Sequence, residues 1–220
     1  MNEQTKHRLR VLIQPPVRLL AATGIAPNAI TVLGLVLSIG AGFLLSQGSF
    51  IWAGIVFLLG GLSDVLDGEL ARRSNRAHPR GAFLDSSFDR LSEFAVFFGI
   101  FWHFRSSTGM AALAFATLFF SVAVSYVRAR AEGIGVECKI GLFERPIRFV
   151  FLVAGIFFHR YLNVALWIIL VGSAFTVVQR IIYVLGKTRQ PPTNAEAKSL
   201  GSRCEPPTGA DQRRPEEPKE

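Results

Sequence analysis

Between positions 28 and 186 the chain is dominated by apolar runs separated by short polar links. A helix needs about 20 mostly apolar residues to cross a bilayer core. Six stretches approach that length: residues 28–47, 50–72, 83–104, 109–131, 143–160 and 161–186. Gln47-Gly48-Ser49 separates the first two, residues 106–109 separate the third from the fourth, and His159-Arg160 marks a tight turn between the last two. The pattern predicts an all-α integral membrane protein with six transmembrane helices. Residues 5–22 differ: Leu9, Val11, Leu12, Ile13, Val17, Leu19 and Leu20 alternate with basic residues around Pro15-Pro16. That mixture suits an interfacial amphipathic helix lying on the inner leaflet. Residues 188–220 are rich in Pro, Glu, Lys and Gly without apolar periodicity and read as a disordered tail. The expected organisation is therefore a cytoplasmic amphipathic segment (1–24), a six-helix domain (25–187) and a cytoplasmic tail (188–220).

Charge orients these spans. Lys6, Arg8, Arg10 and Arg18 precede the first; Arg72, Arg73, Arg76 and Arg80 lie between the second and third. Arg128, Arg130, Lys139, Arg145 and Arg148 surround the link from fourth to fifth, and Lys187 and Arg189 follow the sixth. The alternate links carry only Arg105 and Arg160. The positive-inside rule places both termini and the basic links in the cytoplasm, at the cell (inner) membrane. Composition agrees: half the residues are hydrophobic, 18% are charged and mean hydropathy is +0.36, which suits lipid-facing helices better than a soluble core. The net charge of +8 is spread between apolar segments, so anionic lipid rather than nucleic acid is the expected partner. Cys138 and Cys204 form no ligand or disulfide pattern. No short apolar stretch with a small-residue cleavage site follows the basic start, so no cleaved signal peptide is expected.

The second span ends in Asp64-Val65-Leu66-Asp67-Gly68-Glu69-Leu70-Ala71-Arg72, and Gly81, Asp85 and Asp89 follow. Carboxylates at membrane depth are expensive and point to function. Asp64 and Asp67 are three residues apart and Asp85 and Asp89 four apart, so each pair shares a helix face. A short link brings the two helices together, and four carboxylates in one pocket would repel strongly. Divalent cations relieve that repulsion, and an all-oxygen ligand set without Cys or His favours Mg²⁺ or Mn²⁺. Gly68 leaves room for a ligand at the backbone, Ala71 keeps the same face narrow, and Arg72 can grip a phosphate. Two metals and an arginine form a diphosphate clamp. A proton or ion pathway, or an Asp64–Arg72 pair closing a helix end, are the alternatives these residues leave open. Glu69 faces away from both aspartates. His7, His78, His103 and His159 are scattered, and Ser86 and Ser87 lack a His partner for a nucleophilic triad.

The pattern D-x2-D-G-x2-A-R-x8-G-x3-D-x3-D is similar to the signature of the CDP-alcohol phosphatidyltransferase family, and all eight fixed positions are met. Background frequencies put a chance match at a given start on the order of 10⁻¹⁰. Pro27-Asn28-Ala29-Ile30-Thr31 also resembles the family's opening before its first span. The resemblance implies that Asp64, Asp67, Asp85 and Asp89 hold two divalent ions and that Asp89 is also the general base. It implies that Gly68, Ala71, Arg72 and Gly81 line the site for the CDP moiety. The acceptor hydroxyl, deprotonated by Asp89, would attack the lipid-side phosphorus of CDP-diacylglycerol and release CMP.

Ser125-Tyr126-Val127-Arg128-Ala129-Arg130-Ala131-Glu132, Glu144-Arg145-Pro146 and Gln179-Arg180 resemble stretches of the phosphatidylinositol phosphate synthases within that family. By that match Arg128, Arg145 and Arg180 are expected to bind the phosphate of the acceptor, a phosphorylated polyol such as inositol 1-phosphate. Position 128 is Arg where those synthases carry Lys, which leaves glycerol 3-phosphate, and hence a phosphatidylglycerophosphate synthase, as an alternative. Arg130 and Arg148 read as topology anchors that snorkel to the interface. A non-enzymatic membrane scaffold would be expected to have lost a motif aspartate, and none is missing. Gly34, Gly40, Gly42, Gly60 and Gly61 permit close helix packing, either in a homodimer or within one subunit.

Overall fold

A computed structural model describes residues 27–73 and 79–188; the expected amphipathic segment and the tail from 189 lie outside the described residues. Six α-helices follow one another: α1 (Pro27–Ser46), α2 (Phe50–Arg73), α3 (Pro79–His103), α4 (Thr108–Gly133), α5 (Arg145–Phe157) and α6 (Leu162–Thr188), with a 3₁₀ turn, His159–Tyr161, before α6. No strand occurs among the described residues. The helices match the six predicted stretches to within a few residues. The largest difference is at α3, which begins at Pro79, so that Gly81 lies in its first turn and Asp85 and Asp89 fall one and two turns later.

Three segments are long and apolar enough to cross a membrane: Asn28–Ser46, Thr108–Gly133 and His159–Thr188. Phe50–Asp64 is a shorter apolar stretch. The helices that fall short do so for visible reasons. α2 and α3 carry the acidic motif along one end, and α5 has only 13 residues. The outer surface is nonetheless apolar around the bundle. Phe43, Trp52, Phe119 and Ile182 are each at least 60% exposed, which a water-facing surface rarely tolerates over so broad an area. The chain is a helical membrane protein.

Local chemistry sets the joints. α1 ends in a Schellman motif: Gly48 N–H donates to Leu45 O and Ser49 N–H to Leu44 O, both at 2.9 Å. Gly48 takes the left-handed φ of +80° that this motif needs and that glycine adopts without a Cβ clash. α5 begins with Pro146 in its first turn, where the missing N–H is harmless.

α1 packs on α2 and α3, α3 on α4, α4 on α6, and α5 on α6 and α2. Leu45, Phe97, Ile100, Ile156, Leu166 and Ile169 form the fully buried centre. The closest approach is between α1 and α3, where a Cβ on Gly99 would lie 2.1 Å from the carbonyl oxygen of Gly42. Four of the small residues in these helices contact other helices of the same chain. Gly34 and Gly60 face each other across α1 and α2, Gly42 meets α3, and Gly61 receives the ring of Phe149. At the end away from the acidic motif, the Phe50 ring stacks on His159 at 5.2 Å and meets His103 edge-on at 5.0 Å. Two histidines far apart in sequence thus close that end of the bundle with an aromatic clasp.

Candidate active site

The acidic motif and the arginines gather at one end of the bundle. Asp64 comes from α2, Asp85 and Asp89 from α3, and Arg145 from the first residue of α5. One guanidinium nitrogen joins two helices: Arg145 Nη2 lies 2.6 Å from Asp64 Oδ2 and 2.5 Å from Asp89 Oδ1. Asp85, one turn before Asp89, feels the charges of Arg145, Asp64 and Arg90. Asp64 in turn is backed by α1, since a Cβ on Gly34 would lie 3.0 Å from its Oδ1. Gly81 sits against the start of α1, 3.6 Å from Asn28 Oδ1 to where its Cβ would be, which joins the Pro27–Thr31 opening to the motif. Asp67, Gly68, Ala71 and Arg72 lie on the last turns of α2, and their side chains are outside what the structure describes.

Two cavities meet at this point. A small inner one, about 20 Å³, is bounded by Asp64, Asp89, Glu93, Arg145 and Arg148 among apolar side chains. A larger cleft of about 420 Å³ is bounded by Asp89, Arg128, Arg145, Arg148 and Arg180. Asp89, Arg145 and Arg148 border both. The three arginines expected from the sequence therefore share one cleft, but their surroundings differ. Arg128 is 44% exposed and pairs with Glu132 one turn on, at 2.8 Å. Arg145 is held by the aspartates. Arg180 is buried, donating through Nε to Ile140 O at 2.7 Å and through Nη1 to Val124 O at 2.6 Å, with Nη2 3.8 Å from Glu144. It pins the 134–144 link onto α4 while bordering the cleft.

Arg148 is not the snorkelling anchor expected from its position. It is 3% exposed, donates through Nη1 to Phe143 O at 3.0 Å, and pairs through Nη2 with Glu93 Oε1 at 3.0 Å. The physical reason is Glu93 of α3, a partly buried carboxylate that reaches Arg148 where a snorkelling arginine would have sought water. Ser121 of α4 donates to the same Glu93 oxygen at 3.0 Å. Glu93 and Ser121 escaped the sequence reading, yet a signal was available. Glu93 continues the four-residue spacing of Asp85 and Asp89 within an apolar span, where an ionisable group needs a reason.

Whether a metal fits can be judged from the carboxylates themselves. Among the described residues, no three Asp, Glu, His or Cys side chains come close enough together to hold one ion. Asp64 and Asp89 do converge on one cationic nitrogen, so the pocket already accommodates positive charge between two helices. The donor set is all oxygen, as hard divalent cations require.

A carboxylate-bearing pocket that opens onto an arginine-lined cleft suits a transferase handling anionic substrates. The chain belongs to the CDP-alcohol phosphatidyltransferase family, whose model matches residues 24–178. It is an enzyme of that class, working in phospholipid biosynthesis. Its resemblance is to phosphatidylinositol phosphate synthases: that of Streptomyces avermitilis is 34% identical over 220 residues, 92% of this chain and 90% of the relative. The archaetidylinositol phosphate synthase of Methanothermobacter thermautotrophicus is 33% identical over 84% of this chain and 96% of its own length. The crystal structure of Mycobacterium tuberculosis phosphatidylinositol phosphate synthase with CDP-DAG bound superimposes with a TM-score of 0.72 at 31% identity, covering 78% of this chain and 92% of that one. The same protein in complex with manganese and citrate gives a TM-score of 0.73 at 31% identity, over 79% and 88% of the two chains.

Proposed function

We propose that the chain transfers the phosphatidyl group of CDP-diacylglycerol to inositol 1-phosphate and releases CMP. The carrying observation is that the cavity holding Asp64 and Asp89 meets, at Asp89, Arg145 and Arg148, a larger cleft that Arg128 and Arg180 also border. Guanidinium groups arriving from three helices suit an anionic acceptor, and the names of the relatives favour inositol phosphate over glycerol 3-phosphate. The CDP-DAG in the solved relative supports the donor.

Asp64, Asp67, Asp85 and Asp89 would hold two divalent ions, Mg²⁺ or Mn²⁺, and the manganese in the solved relative supports that assignment. Bound there, the ions supply positive charge to the diphosphate. Asp89 takes the proton from the acceptor hydroxyl, whose oxygen then attacks the lipid-side phosphorus. The phosphorus–oxygen bond to CMP breaks and CMP leaves as an anion, with Arg72 steadying the diphosphate and Gly68, Ala71 and Gly81 leaving room for the CDP moiety. Arg128, Arg145 and Arg180 orient the acceptor phosphate, and Arg148, which borders the same cleft, joins that set.

Residues 25–187 form the catalytic unit, with all six helices spanning the cell membrane and the site at its cytoplasmic side. The basic residues of the α2–α3 and α4–α5 links support that orientation. The test is CMP release by purified enzyme in detergent with CDP-diacylglycerol and Mg²⁺ or Mn²⁺. Inositol 1-phosphate, glycerol 3-phosphate, free inositol and serine are offered singly, with Asp89→Asn as control. Release with inositol 1-phosphate alone, lost in the variant, is the expected result. Release with glycerol 3-phosphate instead would replace the acceptor and keep the reaction. Activity undiminished in Asp89→Asn would remove that residue as base.

A further inference from the structure

Arg148 is the most deeply buried cation bordering the acceptor cleft together with Arg180, and its charge is balanced by Glu93. Glu93 borders only the inner cavity, whereas Arg148 borders both cavities. The carboxylate therefore holds the guanidinium at the inner cavity that adjoins the cleft. One oxygen, Glu93 Oε1, receives both Arg148 Nη2 and Ser121 Oγ, each at 3.0 Å, and so ties α3, α4 and α5 together at one atom. Phe143 O takes Nη1 at 3.0 Å. Among the described residues, Arg148 Nε is buried without a partner. A guanidinium serving only as a staple would have its donors consumed, because a buried unpaired N–H is unfavourable. Here each Nη nitrogen is held by one partner and keeps a second N–H, on a side chain that borders the cleft.

We propose that Glu93, braced by Ser121, is a positioning residue for acceptor recognition: it fixes the Arg148 guanidinium at the seam between the carboxylate pocket and the cleft, for the phosphate of an anionic acceptor. The inference rests on the reading of the acceptor as phosphorylated. A buried arginine without a counter-charge would withdraw toward water or shed its order. Either response leaves the ligand to restore the geometry on binding, which weakens its affinity. Glu93 acts through Arg148, so its removal falls on the acceptor rather than on the lipid donor.

The experiment measures KM for CDP-diacylglycerol and for inositol 1-phosphate separately in wild type, Glu93→Ala, Glu93→Gln and Ser121→Ala. Glu93→Ala is expected to raise the acceptor KM by about tenfold to a hundredfold, the equivalent of one charge-assisted hydrogen bond, with the donor KM nearly unchanged. Glu93→Gln keeps an accepting oxygen for both partners and should fall between it and wild type. Ser121→Ala should shift the acceptor KM by about fivefold, as for a neutral hydrogen bond. If Glu93→Ala does not fold, the other two variants carry the test. Equal rises in both KM values, or a loss of kcat with the acceptor KM unmoved, would make the cluster a structural staple and overturn the proposal. A wild-type enzyme that prefers free inositol or serine would overturn the phosphorylated-acceptor reading and this inference with it. One that uses a phosphorylated acceptor while the variants keep its KM would overturn this inference alone.

Discussion

The α1–α3 crossing offers a sharp test of how the bundle is held together. Gly99 and Gly42 are both buried, and a Cβ on Gly99 would stand 2.1 Å from Gly42 O and 2.8 Å from Gly42 Cα. Carbon and its non-bonded neighbours rest at about 3.5 Å or more, so Gly99→Ala demands that the helices part by about 1 Å. Ala41, Leu45, Val96 and Ile100 are buried in that same seam, so parting the helices loosens their contacts too. Overpacking of this kind costs about 1–3 kcal/mol, against which alanine returns about 0.5–1 kcal/mol of helix propensity. The net expectation is a loss of roughly 1–2 kcal/mol. Gly109 is the matched control: it lies in α4 with nothing within 4 Å of its Cβ position, so Gly109→Ala should be neutral or stabilising. Unfolding of both variants in the same detergent, followed by helical circular dichroism, ranks them. Equal stability of Gly99→Ala and Gly109→Ala would refute the claim that backbone contact sets this crossing.

Arg180 holds the 134–144 link through Ile140 O and Val124 O, and Cys138 within that link is fully buried. In a Cys204→Ser background, Arg180→Met is expected to raise the rate of maleimide labelling at Cys138 by about tenfold or more, the loss of a hydrogen bond from a charged donor; an unchanged rate would mean that the link is held by packing. Chelation by EDTA should abolish CMP release and added Mn²⁺ or Mg²⁺ restore it, because the proposed reaction relies on divalent charge held by the motif aspartates. Residual turnover in metal-free buffer would remove the divalent ions from the reading.

The helices and the carboxylate pairs were legible along the chain because both are local. Apolar run length sets a span, and spacings of three and four residues put Asp64 with Asp67 and Asp85 with Asp89 on common faces whatever the helices later pack against. The end of α1 was legible for the same reason, in the single glycine that a left-handed turn requires. The arginines were legible only as charge. Arg128, Arg145, Arg148 and Arg180 lie in similar basic-apolar settings, yet one is half exposed, one bridges two aspartates, one is clamped by a partly buried glutamate and one holds backbone carbonyls. Arg128 pairs within its own helix, four residues on, whereas the other three are set apart by partners 40 to 81 residues away, which no local pattern contains. Glu93 shows the same division: its spacing after Asp89 marked the face it would occupy, but only the tertiary arrangement brought Arg148 of α5 and Ser121 of α4 to that face. Helix faces follow from the chain's own periodicity, whereas the pairing of buried charges follows from which faces the packed helices turn toward one another.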